Sequence, residues 1–123
     1  MNQPESQLGR YKVQHVKFID GQWRPYGPWM RLIVTNQRVI LFPDHAVQQA
    51  KHLVIYPQMI ARVWSICLGK RDGAIMALRS GELLYFYVHW SESTKLIRDI
   101  NLMLRPAPRQ PALATTARKR ITN

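Results

Sequence analysis

The sequence predicts a mainly β domain of seven short antiparallel strands, which curl into a partly open barrel capped by one C-terminal helix. Between residues 11 and 88, short apolar runs are separated by breaks rich in glycine, proline and polar residues, a pattern typical of hairpins. After residue 90 the pattern changes to a helical period. Because no helix separates the strands, we expect an antiparallel sandwich or barrel.

The first strand is predicted at Tyr11–Ile19, where apolar and polar residues alternate in part, as in a half-buried strand. The next segment, Asp20–Pro28, holds two glycines and two prolines, so we expect a loop there. Trp29–Thr35 is rich in β-branched and aromatic residues and is predicted to be the second strand.

The run RLIVTNQRVILFP, from Arg31 to Pro43, places two apolar segments on either side of a short polar break. No helical stripe runs through it, so we interpret it as an antiparallel hairpin whose returning strand is Arg38–Phe42. The connection is predicted at Asn36-Gln37, because asparagine tolerates the positive φ that tight hairpin turns need.

Four further strands follow from the same reasoning. A polar loop is expected at Asp44–Lys51, and glycine-containing turns are expected at Gly69–Gly73 and Arg79–Glu82. The four strands are predicted at His52–Tyr56, Ile60–Leu68, Ala74–Leu78 and Leu83–Val88.

The segment Ser91–Arg105 is predicted to be a helix with one apolar face that packs against the barrel. Ser91 or Ser93 is expected to cap its start, and Glu92 suits the positive end of the helix dipole. Pro106 is expected to end it. The apolar face consists of Leu96, Ile97, Ile100, Met103 and Leu104.

The chain of 123 residues is long enough for one domain with its own core. We expect a flexible leader over residues 1–9, the domain over residues 10–105, and a disordered basic tail with three prolines over residues 106–123. The single cysteine, Cys67, excludes an internal disulfide and suits a reducing cytoplasm. No apolar run approaches the roughly 18 residues of a transmembrane helix, so any membrane contact is expected to be peripheral.

The net charge of +11 comes from 18 basic and 7 acidic residues. It points to an anionic partner, such as a membrane surface or a nucleic acid. Five of the basic residues lie at position 105 or beyond, so the tail holds much of the excess. A basic surface that is simply solvated is the alternative interpretation.

Residues for catalysis or metal binding do not cluster in the sequence. The four histidines lack the spacing of metal ligands, and the seven carboxylates include no close pair suited to acid–base chemistry. No glycine-rich phosphate loop and no local Ser-His-Asp or Cys-His arrangement is present. We therefore predict no enzyme activity, no catalytic residue, no metal site and no cofactor.

The segment LIVTNQRVILF resembles the hairpin of GRAM domains and of bacterial domains with the pleckstrin-homology (PH) fold. Their pattern is an apolar strand, Thr-Asn, a polar residue, Arg or Lys, and a second apolar strand. The upstream segment GQWRPYGPWMRL is similar to the loop that precedes this strand, and the resemblance covers about residues 10–105. It implies a seven-stranded PH-like barrel with a capping helix, acting as a binding module for phosphoinositides, other membrane lipids or proteins.

The resemblance also implies where a ligand would bind. Lys17, Arg24 and Arg31 flank the loop after the first strand, which contacts lipid phosphates in the lipid-binding members. Lys51 and Arg79 are expected near the same end of the barrel. Those members have two basic residues separated by one in this loop, whereas here Arg24 is followed by Pro25 and Tyr26.

Trp23, Tyr26 and Trp29 lie in the same region as Arg24 and are predicted to contact a membrane or a partner. Stacking on unpaired bases, or packing of the mouth as part of the core, are the alternatives. The predicted function is a non-catalytic binding module that recognises an anionic membrane lipid or a protein through loops at the barrel mouth. A nucleic-acid-binding small barrel and a protein-interaction subunit without a lipid ligand are the other hypotheses.

Overall fold

The computed structural model describes residues 4–43 and 52–105. In these residues seven strands form one sheet in the order β4-β3-β2-β1-β7-β6-β5, with every neighbouring pair antiparallel. The edge strands β4 and β5 are not paired with each other, which leaves the barrel partly open. The predicted fold class is confirmed. The elements are β1 (Gln7–Ile19), β2 (Gln22–Thr35), β3 (Val39–Pro43), β4 (Leu53–Ile55), β5 (Ile60–Leu68), β6 (Arg71–Leu78), β7 (Leu83–Val88) and α1 (Trp90–Leu104), with a short 3₁₀ turn at Pro57–Met59.

Most of the loop predicted at Asp20–Pro28 is in fact strand. Only Asp20 and Gly21 form the turn, with φ angles of 52° and 77°, and Ile19 pairs directly with Gln22. Positive φ at both central residues is the signature of a primed two-residue hairpin turn. β3 pairs with β2 only from Met30 onward, so the earlier part of β2 lies at an edge of the sheet, where prolines are tolerated.

A bulge shapes β2 beside His15. Gln14 pairs with Trp29 and Val16 pairs with Pro25, so three residues of β2 lie opposite one residue of β1. Gly27 has a φ of 124°, which a side chain rarely permits, and its carbonyl accepts a 3.1 Å hydrogen bond from Gln14 Nε2. The glycine and prolines that suggested a loop therefore form a bulge inside a hairpin.

The β2–β3 hairpin turns at Asn36-Gln37 as predicted, with the amide of Thr35 donating to the carbonyl of Arg38 at 2.9 Å. The positive φ expected at Asn36 is wrong, since Asp20 is the only non-glycine residue with positive φ in the described part of the chain. The Thr35 hydroxyl stabilises the turn instead, because it accepts hydrogen bonds from the amides of Gln37 and Arg38, each at 3.0 Å.

The same turn fastens the beginning of the chain. Asn36 bonds the backbone of Ser6 and Pro4, and Glu5 accepts hydrogen bonds from Arg38 Nε at 2.8 Å and from the Thr35 hydroxyl at 2.7 Å. These bonds, first of all those from Arg38, lower the pKa of Glu5. β1 begins four residues before its predicted start, so the leader expected over residues 1–9 overlaps the first strand.

The apolar face of α1 packs against β1, β2, β5 and β6, and Leu96, Ile100 and Met103 are buried in the main core as predicted. Burial of side chains of this size stabilises a fold by about 1.5–3 kcal/mol each. The predicted serine caps are wrong, because the side chain of His89 accepts from the amide of Ser91 and acts as the cap. Within the described residues, no helix combines the length and the apolar character needed to cross a membrane.

A buried polar pair joins α1 to β1. The Tyr11 hydroxyl donates to Asp99 Oδ2, and both residues are almost fully buried. Burial is the main cause that raises the pKa of Tyr11, and the bond to Asp99 adds to it. Gly9 passes so close to this pair that a Cβ there would lie 2.6 Å from the Tyr11 hydroxyl oxygen. The close approach explains glycine at this position.

Candidate functional site

The first candidate site is the barrel mouth, which we define as the recess between β1, β2, β3, β4 and β7. Its volume is about 190 Å³. Apart from one histidine, only apolar side chains line it. The lining residues are His15, Met30, Leu41, Leu53, Leu84 and Phe86.

His15 is the only titratable side chain in that lining. Its ring packs edge-on against Tyr26, with centroids 5.6 Å apart, and lies 5.7 Å from Phe86. Burial lowers the pKa of His15, the charge of Lys17 lowers it further, and Glu82 opposes the shift. Because the ordinary value of 6.5 is already below neutrality, the ring is uncharged at pH 7.

Three of the five predicted ligand-binding residues lie around this end of the barrel. Lys17 and Arg24 face each other across β1 and β2, with Lys17 Nζ 3.9 Å from the centre of the Tyr26 ring. Arg79 is exposed in the β6–β7 turn. Asp20 lies in the β1–β2 turn, next to the strand ends that carry Lys17 and Arg24, and Glu82 lies in the β6–β7 turn with Arg79. Among the described residues of this end, three cations thus stand beside two carboxylates, so this part of the rim is close to neutral.

The other two predicted ligand residues do not join this group. Lys51 lies outside the described residues. Arg31 lies farther along β2, directly opposite Lys12 on β1 and beside Phe42 on β3, and its guanidinium carbon is 5.9 Å from the Phe42 ring centre.

The surroundings of the mouth expose several large apolar side chains. Phe18 and Ile19 form the end of β1 at the hairpin turn, where Phe18 is 58% exposed. The other exposed apolar side chains near this end are Tyr26, Leu53 and Leu83. An apolar cluster with a nearly neutral rim suits contact with another apolar surface better than capture of a free anion.

The other two predicted contact aromatics, Trp23 and Trp29, pack on the opposite face of the sheet. Side chains alternate along a strand, so Tyr85 and Tyr87 point away from the core that holds Phe86 and Val88. A second apolar cluster forms there around Val16, Leu68 and Tyr87, and Trp23, Trp29, Ile66 and Tyr85 pack against it. The interpretation of Trp23 and Trp29 as packing residues fits the structure, but they pack on the outer face of the sheet and not in the mouth of the barrel.

The second candidate site, the cationic groove, lies on this outer face. It consists of two recesses that meet at Lys12. The first has a volume of about 410 Å³ and is lined by Arg10, Tyr11, Lys12, Arg31 and Glu92. The second has a volume of about 390 Å³ and is lined by Lys12, Trp29, Lys70, Arg71, Asp72, Val88, His89 and Trp90.

Aromatic rings lie beside two of the cations of the groove, Lys12 and Arg71. The Arg71 guanidinium lies 3.9 Å from the centre of the buried Tyr87 ring and 5.7 Å from that of Trp29. Lys12 Nζ lies 6.0 Å from the Trp29 ring centre. Such cation–π contacts order long side chains without neutralising their charge.

Positive charge dominates the groove. Arg10, Lys12, Arg31, Lys70 and Arg71 are the cations, against the carboxylates of Asp72 and Glu92. Glu92 also faces Lys95 on the next turn of α1, with Nζ and Oε2 4.0 Å apart. A concave surface lined by one sign of charge attracts counterions, here anions.

Four of these cations, and the exposed Trp90, were missed by the sequence analysis. A local signal exists on β1, where Arg10 and Lys12 alternate with the buried Tyr11 and Val13 and must therefore share the outer face. No local signal places Arg71 beside Lys12, because that neighbourhood depends on how β1, β7 and β6 pair.

Residues for metal chemistry do not assemble in the described ranges, 4–43 and 52–105, since no three His, Cys, Asp or Glu residues there form a group that could hold an ion. No family model matches the chain, and no curated protein matches it. The resemblance to GRAM domains and bacterial PH-like domains therefore stays a prediction.

Proposed function

We propose that this chain is a non-catalytic binding module of PH-like architecture that binds a phosphate-bearing polyanion in the cationic groove. The observation that carries the proposal is the convergence of five cations from β1, β2, β6 and the β5–β6 turn on two recesses that meet at Lys12. Lys and Arg side chains bind phosphate oxygens through charge-assisted hydrogen bonds. The single cysteine, Cys67, suits action in a reducing cytoplasm.

The chemistry of the two sites favours the groove over the mouth. A phosphate that entered the mouth would leave water for an apolar lining whose one polar ring is uncharged at pH 7, which is costly. The groove offers several cations and stays open to solvent. Under this proposal Arg31 keeps its predicted role in ligand binding, whereas Lys17, Arg24 and Arg79 do not bind the anion.

Inorganic polyphosphate is a suitable probe, because it carries the phosphate charge without bases or acyl chains. The double variant Lys12→Gln/Lys70→Gln removes two charges from the groove, and Lys17→Gln/Arg24→Gln removes the same number at the mouth. We expect the affinity for polyphosphate to fall steeply with salt in the wild type and to drop only in the groove variant. Equal losses in both variants would mean that net charge alone attracts the probe, and would overturn the proposal.

The exposed apolar side chains at the mouth favour a second function, in which this end contacts a membrane surface or an apolar partner. Phe18 and Ile19 project at a hairpin end that also carries Lys17 and Arg24, a combination suited to the boundary between acyl chains and anionic headgroups. Vesicle flotation tests this function, and Phe18→Ser should release the chain from anionic vesicles. The control Trp90→Ser also replaces an apolar side chain by a polar one, but in the groove, and should not release the chain. Absence of vesicle binding in the wild type would exclude the membrane form of this function.

A further inference from the structure

The cationic groove contains a row of side chains that crosses the sheet. The pairs Lys12–Arg31, Val13–Val88 and Gly73–Tyr87 fix the register of β2, β1, β7 and β6. Continued by one residue beyond Val13–Val88 and by two beyond Gly73–Tyr87, this register aligns Lys12 with His89, the residue that follows β7, and His89 with Arg71. Arg31, Lys12, His89 and Arg71 thus form one row over four strands, a length of about 14 Å at the usual strand spacing of about 4.8 Å.

Trp90 stands beside this row, next to His89. It is the first residue of α1 and directly follows His89, whose ring centroid is 5.7 Å from its own. It is 69% exposed, more than any other large hydrophobic residue in the described part of the chain, and it lines the same recess as Lys70 and Arg71. The ring contributes little to the core, so its exposed face is available to a ligand.

A ligand that carried only phosphate groups would not stack on the Trp90 ring. A ligand that alternates phosphates with planar rings would contact both the cations of the groove and this ring. Base stacking on an aromatic side chain is worth about 1–3 kcal/mol per base and tolerates any sequence. A duplex hides the faces of its bases. A flat membrane meets protruding side chains, whereas Lys12 and Arg71 lie in recesses beside α1 and the β5–β6 turn.

We infer that the cationic groove binds single-stranded nucleic acid, with phosphates along Arg31, Lys12 and Arg71 and an unpaired base stacked on Trp90. The inference rests on the proposed polyanion-binding function and names its ligand class. The nucleic-acid strand crosses the sheet from β2 to β6 and passes the start of α1 on the way.

Fluorescence anisotropy with the full chain tests the inference against three probes: a single-stranded oligonucleotide of about ten nucleotides, within the usual site sizes, its duplex, and inorganic polyphosphate. We expect the single strand to bind more tightly than the duplex. Three phosphate contacts, one for each of Arg31, Lys12 and Arg71, correspond to a slope of about −2.1 in a plot of log affinity against log salt.

Trp90→Ala separates this inference from the proposed function. We expect it to weaken single-strand binding about 5- to 150-fold, the equivalent of one lost stacking interaction, with no change in salt slope or in polyphosphate affinity. Trp90→Phe, which keeps a ring, should restore most of the affinity. Because Trp90 is exposed, thermal unfolding of both variants should match that of the wild type.

Three outcomes would overturn the inference while leaving the proposed function intact. They are equal binding of duplex and single strand, an equal effect of Trp90→Ala on polyphosphate and oligonucleotide, and tighter groove-dependent binding to anionic vesicles than to the oligonucleotide. If Lys12→Gln/Lys70→Gln changed the affinity for none of the probes, the proposed function would fail as well.

Discussion

The barrel mouth and the cationic groove share the strands β1, β2 and β7 and differ in charge, polarity and exposure to water. β1 contributes to both: His15 lines the mouth, while Arg10 and Lys12 line the groove. The mouth is apolar with a nearly neutral rim, and the groove holds five cations against two carboxylates. The net charge of +11 therefore does not identify a site; the alternation of side chains along each strand decides which face receives the charge.

The two sites also depend differently on the helix. Glu92 and Trp90 of α1 line the groove, so its shape requires the helix to be docked. The mouth is lined by strands alone. Loss of helix docking should therefore weaken anion binding, because the groove loses one wall, and should affect the strand-lined mouth less.

The largest expected effect comes from Asp99→Ala, which leaves the buried Tyr11 hydroxyl without its acceptor at the junction of α1 and β1. An unsatisfied buried polar group costs about 1–3 kcal/mol, so urea unfolding should show a loss of stability of that order. Polyphosphate affinity should fall with it, because the groove loses its helical wall.

The double variant Tyr11→Phe/Asp99→Leu is the matched control. It removes both polar groups together and leaves an apolar side chain of the same branching at each position, a replacement that can be nearly neutral for stability. It should recover stability and polyphosphate affinity together. Recovery of stability without recovery of affinity would show that Tyr11 or Asp99 acts on the ligand directly.

Arg31 and Arg24 provide the next comparison, since the sequence analysis assigned both to one site and the structure separates them. Arg31→Gln should reduce the magnitude of the salt slope for polyphosphate by about 0.7, the contribution of one phosphate contact on a single strand. Arg24→Gln should leave the slope unchanged, because Arg24 lies at the mouth, where its Nη2 bonds Gln22 Oε1 at 3.3 Å. The reverse result would return the anion to the mouth.

Local patterns predicted the elements well where both ends of a strand are marked. β5 and β7 have the predicted bounds, because apolar runs there end at glycine turns or polar residues. The first half of β2 was missed because its two prolines and its glycine are typical of loops. A strand tolerates them here because this part of β2 extends past the end of β3 and lies at the edge of the sheet. The cap of α1 was assigned to Ser91 or Ser93 and is in fact His89, because several polar residues that could act as a cap lie within one turn of the sequence.

The site was harder to predict than the fold for a physical reason. The mouth residues Lys17 and Arg24 are close in sequence, joined by one hairpin, and could be grouped from the chain alone. The groove joins Lys12 to Arg71 through β7, and that pairing follows from tertiary structure. The bond from Tyr11 to Asp99 is equally nonlocal, so nothing in the sequence marked Asp99 as a buried partner.

The smallest expected effect concerns pH and belongs to the mouth. Burial lowers the pKa of His15 below its ordinary value of 6.5, so the unfolded chain binds a proton more readily than the folded one. Stability must then fall as the pH drops below about 6.5 and level off below the pKa of the folded state. Urea unfolding at pH 7 and in mildly acidic buffer should show this loss in the wild type.

His15→Phe should remove that part of the pH dependence, because phenylalanine keeps the ring between Tyr26 and Phe86 and cannot take up a proton. Glu5 provides the control at lower pH: its pKa is lowered first by the hydrogen bond from Arg38, so its contribution is lost only as the pH falls below about 4.5. Glu5→Gln should therefore change the acid limb and leave the His15 window intact. If His15→Phe kept the full pH dependence of stability between neutral pH and the acid limb, the half-buried histidine of the mouth would not be the source of that dependence. The contrast between an uncharged mouth and a charged groove would then lose its support from titration.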